Sequence, residues 1–184
     1  MMTTRTSLAA AACGLLIGVQ ADFGQAAAAQ TAAVPEALEA PAGQVLAVTA
    51  HGTGVQIYQC IAGQDDPARY SWTLKEPRAV LRSRSGRILA KHYAGPTWEA
   101  SDGSKVVGEV AAKSPAPQAG AVPWLLLHAK TTSGTGLFSG VASIQRLRTV
   151  GGQAPDAGCD QAHSGREVKV PYSAEYRFFK VPAP

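Results

Sequence analysis

The sequence predicts an all-β domain, an antiparallel β-sandwich or barrel of about ten short strands with few helices and one disulfide. Short apolar runs recur along the chain between Gly, Pro or Asp residues, which is typical of strands joined by turns. Helical periodicity is weak beyond the first thirty residues, so no long amphipathic helix is expected. Sandwiches and barrels share the same alternation, and the sequence leaves both open.

The N-terminus has the layout of a secretory signal peptide. Arg5 is the only charged residue before an apolar run of about 12 residues, Leu8–Val19, and an Ala-rich stretch follows it. That run is shorter than the roughly 20 residues that span a bilayer. Cleavage after Ala21 or Ala28 fits the small-x-small rule, and lipidation at Cys13 is a further alternative. We therefore expect an exported protein, periplasmic or extracellular, with no transmembrane segment.

Two cysteines, Cys60 and Cys159, remain after such a leader is removed. In an exported protein this even count allows a single disulfide. A redox pair or a metal site is the alternative, but the CxxC spacing typical of both is missing. The separation of 99 residues (159 − 60) suggests that the disulfide contributes about 4 to 5 kcal/mol by restricting the unfolded chain.

The chain divides into a signal peptide at 1–29, an Ala/Pro-rich N-terminal arm at 30–42 and a single β domain at 43–181. The net charge of +4 is mild and spread along the chain, which is unlike a nucleic-acid-binding surface. One basic cluster has the spacing of a hairpin, and we interpret it as a solvated hairpin or as a site for an anionic glycan or surface. Its members are Arg78, Arg82, Arg84, Arg87 and Lys91.

Each strand is predicted from a short run bounded by turn residues. The expected strands are Val45–Ala50, Val55–Cys60, Ser71–Glu76, Ala79–Ser83, Ile88–Tyr93, Thr97–Ser101, Ser104–Val110, Trp124–Lys130, Ser143–Val150 and Tyr172–Lys180. The last is clearest, because apolar and polar residues alternate along it. Residues 113–123 are predicted to form a long loop, and the apolar run Trp124–Leu127 a buried strand. The Gly-rich stretch Ser133–Gly140 lacks nucleotide-binding spacing and is expected to be a loop.

The stretch from Lys91 to Gly108 holds the densest set of candidate site residues. Asp102-Gly103 predicts a two-residue type I′ hairpin turn, which would place Trp98 opposite Val107 and Glu99 opposite Val106. Trp98 would then anchor the core while Glu99 lies on the other face.

Glu99 and His92 are the only catalytic candidates. His92 alternates with Ala90 and Ile88, so it is either a core or rim histidine or a ligand or general base. Glycoside hydrolysis needs two carboxyls about 5 to 10 Å apart, and a hairpin tip offers no cleft. The four histidines are scattered singly, so no metal site or cofactor is expected.

Five blocks, in this order and spacing, resemble the DUF3455 family of exported bacterial and fungal proteins of unknown function. They are GVQIYQC (54–60), KHYAGPTWEASDGSKVVGE (91–109), VPWLLLHA (122–129), IQRLRTVGGQAP with a following GC (144–159) and VPYSAEYRFF (170–179). The resemblance covers roughly residues 34–180. It implies a shared fold and export, and it implies no catalytic residues.

Three hypotheses for the function follow. The first is a non-enzymatic domain that binds a small molecule or glycan in a pocket lined by Tyr58, Tyr93, Trp98 and His92. The second is a structural or surface-interaction protein without a small ligand. The third is a small polysaccharide hydrolase that uses Glu99 and His92. The hypotheses differ in whether Glu99 and His92 meet in one concave pocket.

Overall fold

The computed structural model describes residues 32–182, and these form a closed barrel of eight antiparallel strands. Each strand pairs with the next along the chain, and the last pairs with the first. The strands are β1 (Val45–Ala62), β2 (Tyr70–Arg82), β3 (Ile88–Tyr93), β4 (Thr97–Ala100), β5 (Lys105–Ser114), β6 (Trp124–Ser133), β7 (Val141–Gly151) and β8 (Glu167–Lys180). Two 3₁₀ helices, Glu36–Leu38 and Gln161–His163, complete the described part. The all-β prediction is confirmed, and the barrel is the form adopted.

The ten expected strands become eight because two predicted breaks lie inside longer strands. In β1, Gly52 and Gly54 continue the strand, since their lack of a side chain lets other groups approach the backbone. A Cβ at Gly54 would lie 2.0 Å from the Arg78 carbonyl oxygen on β2. In β2, Pro77 lies where β3 does not pair, and a strand with one unpaired side tolerates proline.

The predicted register of the hairpin between β4 and β5 is wrong by one residue. Trp98 pairs with Val106 and Glu99 with Lys105, not with Val107 and Val106 as expected. A type I′ turn needs positive φ at both central residues, whereas here Gly103 has φ +86° and Asp102 does not have positive φ. The observed three-residue loop with glycine in the left-handed region is the next most common hairpin type. Trp98 remains on the inner face, as predicted, and is 1% exposed.

The basic cluster lies on the β2–β3 hairpin, as its spacing indicates. The turn is closed by the Ser83 N–H, which donates to the Arg87 carbonyl oxygen at 2.9 Å. Arg82 donates from its side chain to the Gly86 carbonyl oxygen at 3.1 Å, and Gly86 has φ +85°.

A second, smaller core lies outside the barrel wall. Leu38 is fully buried against Trp124, Leu126 and Leu147, which point outward from β6 and β7. The Gln145 side chain donates to the Leu38 carbonyl oxygen at 2.6 Å. The residues before β1 therefore cover one outer face of the barrel. This cover explains why the apolar run in β6 is continuous, because both faces of that strand are buried.

Cys60 and Cys159 form the expected disulfide, with their Cα atoms 5.4 Å apart. The disulfide ties the end of β1 to the loop that precedes β8. The predicted signal peptide, its two cleavage positions and Cys13 lie outside the described residues. Neither of the two short helices within residues 32–182 has the length of a membrane-spanning segment.

Candidate ligand-binding site

A cavity of about 340 Å³ occupies one end of the barrel lumen. All eight strands contribute to its wall, together with the β3–β4 turn. Its lining includes Gln56 of β1, Leu74–Pro77 of β2, His92 of β3, Trp98 of β4, Val110 of β5, Leu125 and Leu127 of β6, Arg146 of β7 and Tyr176 of β8. This volume lies within the range of small-molecule sites. Closure of the barrel thus gathers residues that are up to 120 positions apart in sequence (176 − 56).

His92 and Trp98 form a stacked pair in the cavity wall. Their ring centroids are 4.4 Å apart with an interplanar angle of 8°, and Tyr176 meets both rings edge-on. His92 Nδ1 lies 2.9 Å from the Thr97 carbonyl oxygen, so this nitrogen carries the proton and donates it. Burial lowers the pKa of His92 to about 3, against the opposing effect of the Thr97 hydrogen bond. The imidazole is therefore neutral at pH 7.

Arg146 supplies the positive charge of the lumen. Its Nε and one terminal nitrogen donate to the Pro123 carbonyl oxygen, at 3.2 and 2.8 Å. Burial raises the pKa of Tyr176 and the guanidinium opposes that rise, while burial lowers the pKa of His92 and the guanidinium adds to that fall. Within residues 32–182, no carboxylate pairs with it. The Pro123 carbonyl oxygen and the side chain of Tyr176 hold the guanidinium in place.

The tyrosines of the lumen are uncharged at pH 7. The hydroxyls of Tyr172 and Tyr176 lie 3.1 Å apart, and burial raises the pKa of each. The acidic residue of the cavity rim, Glu76, accepts from Arg78 at 2.9 Å. Lys75, beside it, is paired with Glu167 at 2.5 Å. The charges at the rim are therefore balanced by their own ion-pair partners, and Arg146 gives the lumen a positive charge.

Two buried polar groups in the cavity wall have no partner among the described residues. They are the Trp98 indole N–H and the Gln56 side-chain nitrogen, and each side chain is 1% exposed. Buried polar groups are nearly always hydrogen-bonded in native structures, so each unpaired one calls for an explanation. The mouth is apolar by contrast, since Leu74 and Val110 line it while 50% and 51% exposed.

The structure brings together two of the sequence-predicted site residues, His92 and Trp98. Tyr58 donates its hydroxyl to the Gly152 carbonyl oxygen at 2.6 Å and lines a separate, more open depression beside residues 113–123. Tyr93 lies on the outer face of the barrel, where its hydroxyl donates to Glu99 at 2.8 Å. Tyr58 and Tyr93 therefore do not line the lumen cavity.

Glu99 and His92 do not meet. Glu99 is opposite Lys91 on the neighbouring strand, while His92 is opposite Trp98, so the two side chains point to opposite faces. Glu99 is instead paired with Lys105 at 3.4 Å. The Tyr93 hydrogen bond and this cation lower the pKa of Glu99, so it is ionised at pH 7.

The residues that sequence reasoning missed are Gln56, Arg146 and Tyr176. One signal for Arg146 existed in the sequence. Along Ile144–Thr149 polar residues occur on both faces of the strand, which is unusual if one face is solvent and the other is core. Among residues 32–182, no three His, Cys, Asp or Glu side chains are placed to hold a metal ion.

A family model described as a protein of unknown function, DUF3455, matches residues 41–180. The chain belongs to the DUF3455 family. The match runs from just before β1 to the last residue of β8 and includes every residue that lines the lumen cavity. It begins after Leu38, so the helix that covers the outer core lies outside it. No curated protein and no solved structure matches the chain.

Proposed function

We propose that this DUF3455 domain is an exported, non-enzymatic protein that binds a small molecule inside its barrel. The observation that carries the proposal is the cavity of about 340 Å³ lined by all eight strands. Mouths of β-barrels commonly serve as binding sites, because the closed sheet holds the pocket shape without a ligand. The Cys60–Cys159 disulfide supports export, since such bonds persist in oxidising compartments.

The contents of the cavity favour binding over hydrolysis. Hydrolysis by paired carboxylates needs two such groups across the substrate. Glu99 lies on the outer face, and Glu76, at the rim, is engaged by Arg78. His92 is buried, neutral and stacked, and its Nδ1–H is already used by Thr97. These features favour a structural role for His92 in the cavity wall over a role as a general acid or base.

A thermal-shift screen on the mature protein tests the proposal. The panel contains sugars, fatty acids, aromatic acids, alcohols, haem and metal ions. A ligand that binds only the folded state stabilises it by about 2.7 kcal/mol at a hundred times its Kd. For a domain of this size that corresponds to an increase in Tm of roughly 5 to 10 °C.

A pair of variants links any shift to the lumen. Val110→Trp places a large side chain at the mouth, whereas Ile88→Trp makes the same kind of change at an exposed strand residue away from the cavity. We expect Val110→Trp to abolish the ligand-induced shift and Ile88→Trp to keep it. The proposal fails if no panel member raises the Tm of the wild type, or if Val110→Trp leaves the shift unchanged.

A further inference from the structure

The polar chemistry of the lumen is biased towards hydrogen-bond donors. An arginine has five N–H donors and no acceptor, and Arg146 uses two of them on the Pro123 carbonyl oxygen. A tryptophan indole only donates, and that of Trp98 has no acceptor within residues 32–182. The Gln56 amide can donate or accept, and its nitrogen is also unpartnered. A ligand that completes this set must supply acceptor oxygens.

The charge of the lumen further restricts the class of ligand. Two cations line the cavity, and Lys75 at the rim is bound to Glu167, whereas within the described residues no carboxylate balances Arg146. The acidic group at the rim, Glu76, is bound to Arg78. A cationic ligand would therefore meet an uncompensated like charge. A single guanidinium binds a carboxylate through two parallel hydrogen bonds and balances its one charge, whereas the second charge of a dianion would have no unpaired cation beside it among the described residues of the lumen.

Most of the remaining wall is apolar. Leu125, Leu127 and the aromatic faces of Trp98 and Tyr176 line the interior, and Leu74 and Val110 line the mouth. A sugar needs many polar partners around its hydroxyls, and this wall offers few. An apolar body instead gains free energy from removal of its surface from water.

We propose that the lumen binds an amphipathic monocarboxylate, with the carboxylate on Arg146 and the apolar body against the leucine and aromatic wall. This inference rests on the proposed function and names the class of ligand. A fatty acid and an aromatic acid share this chemistry, and probes with different apolar bodies distinguish them. The Trp98 and Gln56 donors supply further hydrogen bonds to oxygens of the ligand.

The test is a calorimetric titration at pH 7.5 with an eight-carbon series of probes that differ in the head group, and with one aromatic acid. The probes are octanoate, octan-1-ol, octylammonium and octyl phosphate, with 3-phenylpropanoate as the aromatic acid. We expect at least one of the two carboxylates to bind. For the eight-carbon series, octanoate should bind at least tenfold more tightly than the alcohol or the amine, because hydrogen bonds to charged groups are stronger than neutral ones.

Variants at Arg146 test whether this residue causes the preference for the carboxylate head group. Arg146→Met should bring octanoate to the affinity of octanol, and Arg146→Lys should retain part of the preference. Arg82→Met, on the exposed β2–β3 hairpin, makes the same change in net charge and should leave all affinities unchanged. Circular dichroism and Tm establish that each variant is folded. The head-group comparison in the wild type tests the inference even if Arg146→Met does not fold.

The outcomes separate this inference from the proposed function. If octanol or octylammonium binds as tightly as octanoate, and Val110→Trp blocks it, the lumen binds ligands but the carboxylate inference is wrong. Tighter binding of octyl phosphate than of octanoate also overturns it. If no probe and no member of the wider panel binds, the proposed function fails together with it.

Discussion

Acidification between pH 6.5 and 5.0 is predicted to destabilise the fold through His92. The side chain is 3% exposed, stacks on Trp98 and donates from Nδ1 to the Thr97 carbonyl oxygen. Protonation would place a charge in this buried position near Arg146, whose own charge adds to the cost. The folded state therefore keeps the ring neutral, while the unfolded chain protonates it with an ordinary pKa.

The size of the effect follows from the two pKa values. Burial lowers the pKa of His92 from 6.5 to about 3 in the folded state. Between these values the unfolded state binds more protons than the folded state, so stability falls as the pH falls. The slope is half of its full value of about 1.4 kcal/mol per pH unit at pH 6.5, where half of the unfolded rings are protonated, and it approaches that value at lower pH. A fall from pH 6.5 to 5.0 therefore removes about 1.6 kcal/mol. Carboxylates with lowered pKa values, such as Glu99 and Asp102, lose their contributions at lower pH, below about 5.

Urea unfolding at half-unit steps of pH measures this slope. His92→Gln removes the titrating ring and keeps a group that can donate to Thr97, so its stability should be flat from pH 6.5 to 5.0. His128→Gln, at an exposed histidine of β6, is the matched control and should retain the wild-type slope. The reasoning is refuted if His92→Gln shows the same loss as the wild type, or if the wild type loses less than about 0.5 kcal/mol over this range.

Two further predictions concern the disulfide and the loop that precedes β7. Replacing Cys60 and Cys159 together by Ala should lower the free energy of unfolding by about 4 to 5 kcal/mol, because the closed loop spans 99 residues; a loss below about 1 kcal/mol in urea titrations would contradict this. Asp102→Ala should speed hydrogen exchange at the amide of Leu137, which donates to the Asp102 carboxylate at 2.8 Å. Exposed Asp65→Ala is the control, and unchanged protection of Leu137 would show that the carboxylate does not hold the loop.

The sequence predicted the fold class because alternation and turn residues are local signals. It correctly placed Trp98 on the inner side of its strand, and it grouped His92 with Ala90 on one side of β3, which is the inner side in the structure. The prediction of strand boundaries failed where a residue is required by a contact with a strand distant in sequence. Gly54 is a glycine because a neighbouring strand approaches its backbone, not because the strand ends there. The register at Asp102 was wrong because Asp-Gly suits two hairpin types that differ in length by one residue.

The candidate site could be predicted only in part. His92 and Trp98 stood out because they lie in a short segment rich in unusual side chains. Arg146 did not, because the inner face of β7 is defined by barrel closure and by the segment around Leu38 that covers the outer face. In the local pattern these contacts leave one sign, the polar residues on both faces of Ile144–Thr149, which does not show which face is the inner one. Glu99 was a candidate for its chemistry, and the pleat of β4 places it outside.

The three tryptophans allow the central claim, binding inside the lumen, to be tested with one spectrum. Trp98 lines the cavity with an unpartnered indole N–H, Trp72 donates its N–H to the Ala157 carbonyl oxygen, and Trp124 is buried in the outer core. In a ¹H–¹⁵N correlation spectrum titrated with octanoate, we expect the Trp98 indole resonance to shift downfield as its N–H gains an acceptor. The Trp72 and Trp124 resonances should stay in place. An unmoved Trp98 resonance while either of the others shifts would show that the ligand binds outside the lumen, contrary to this account.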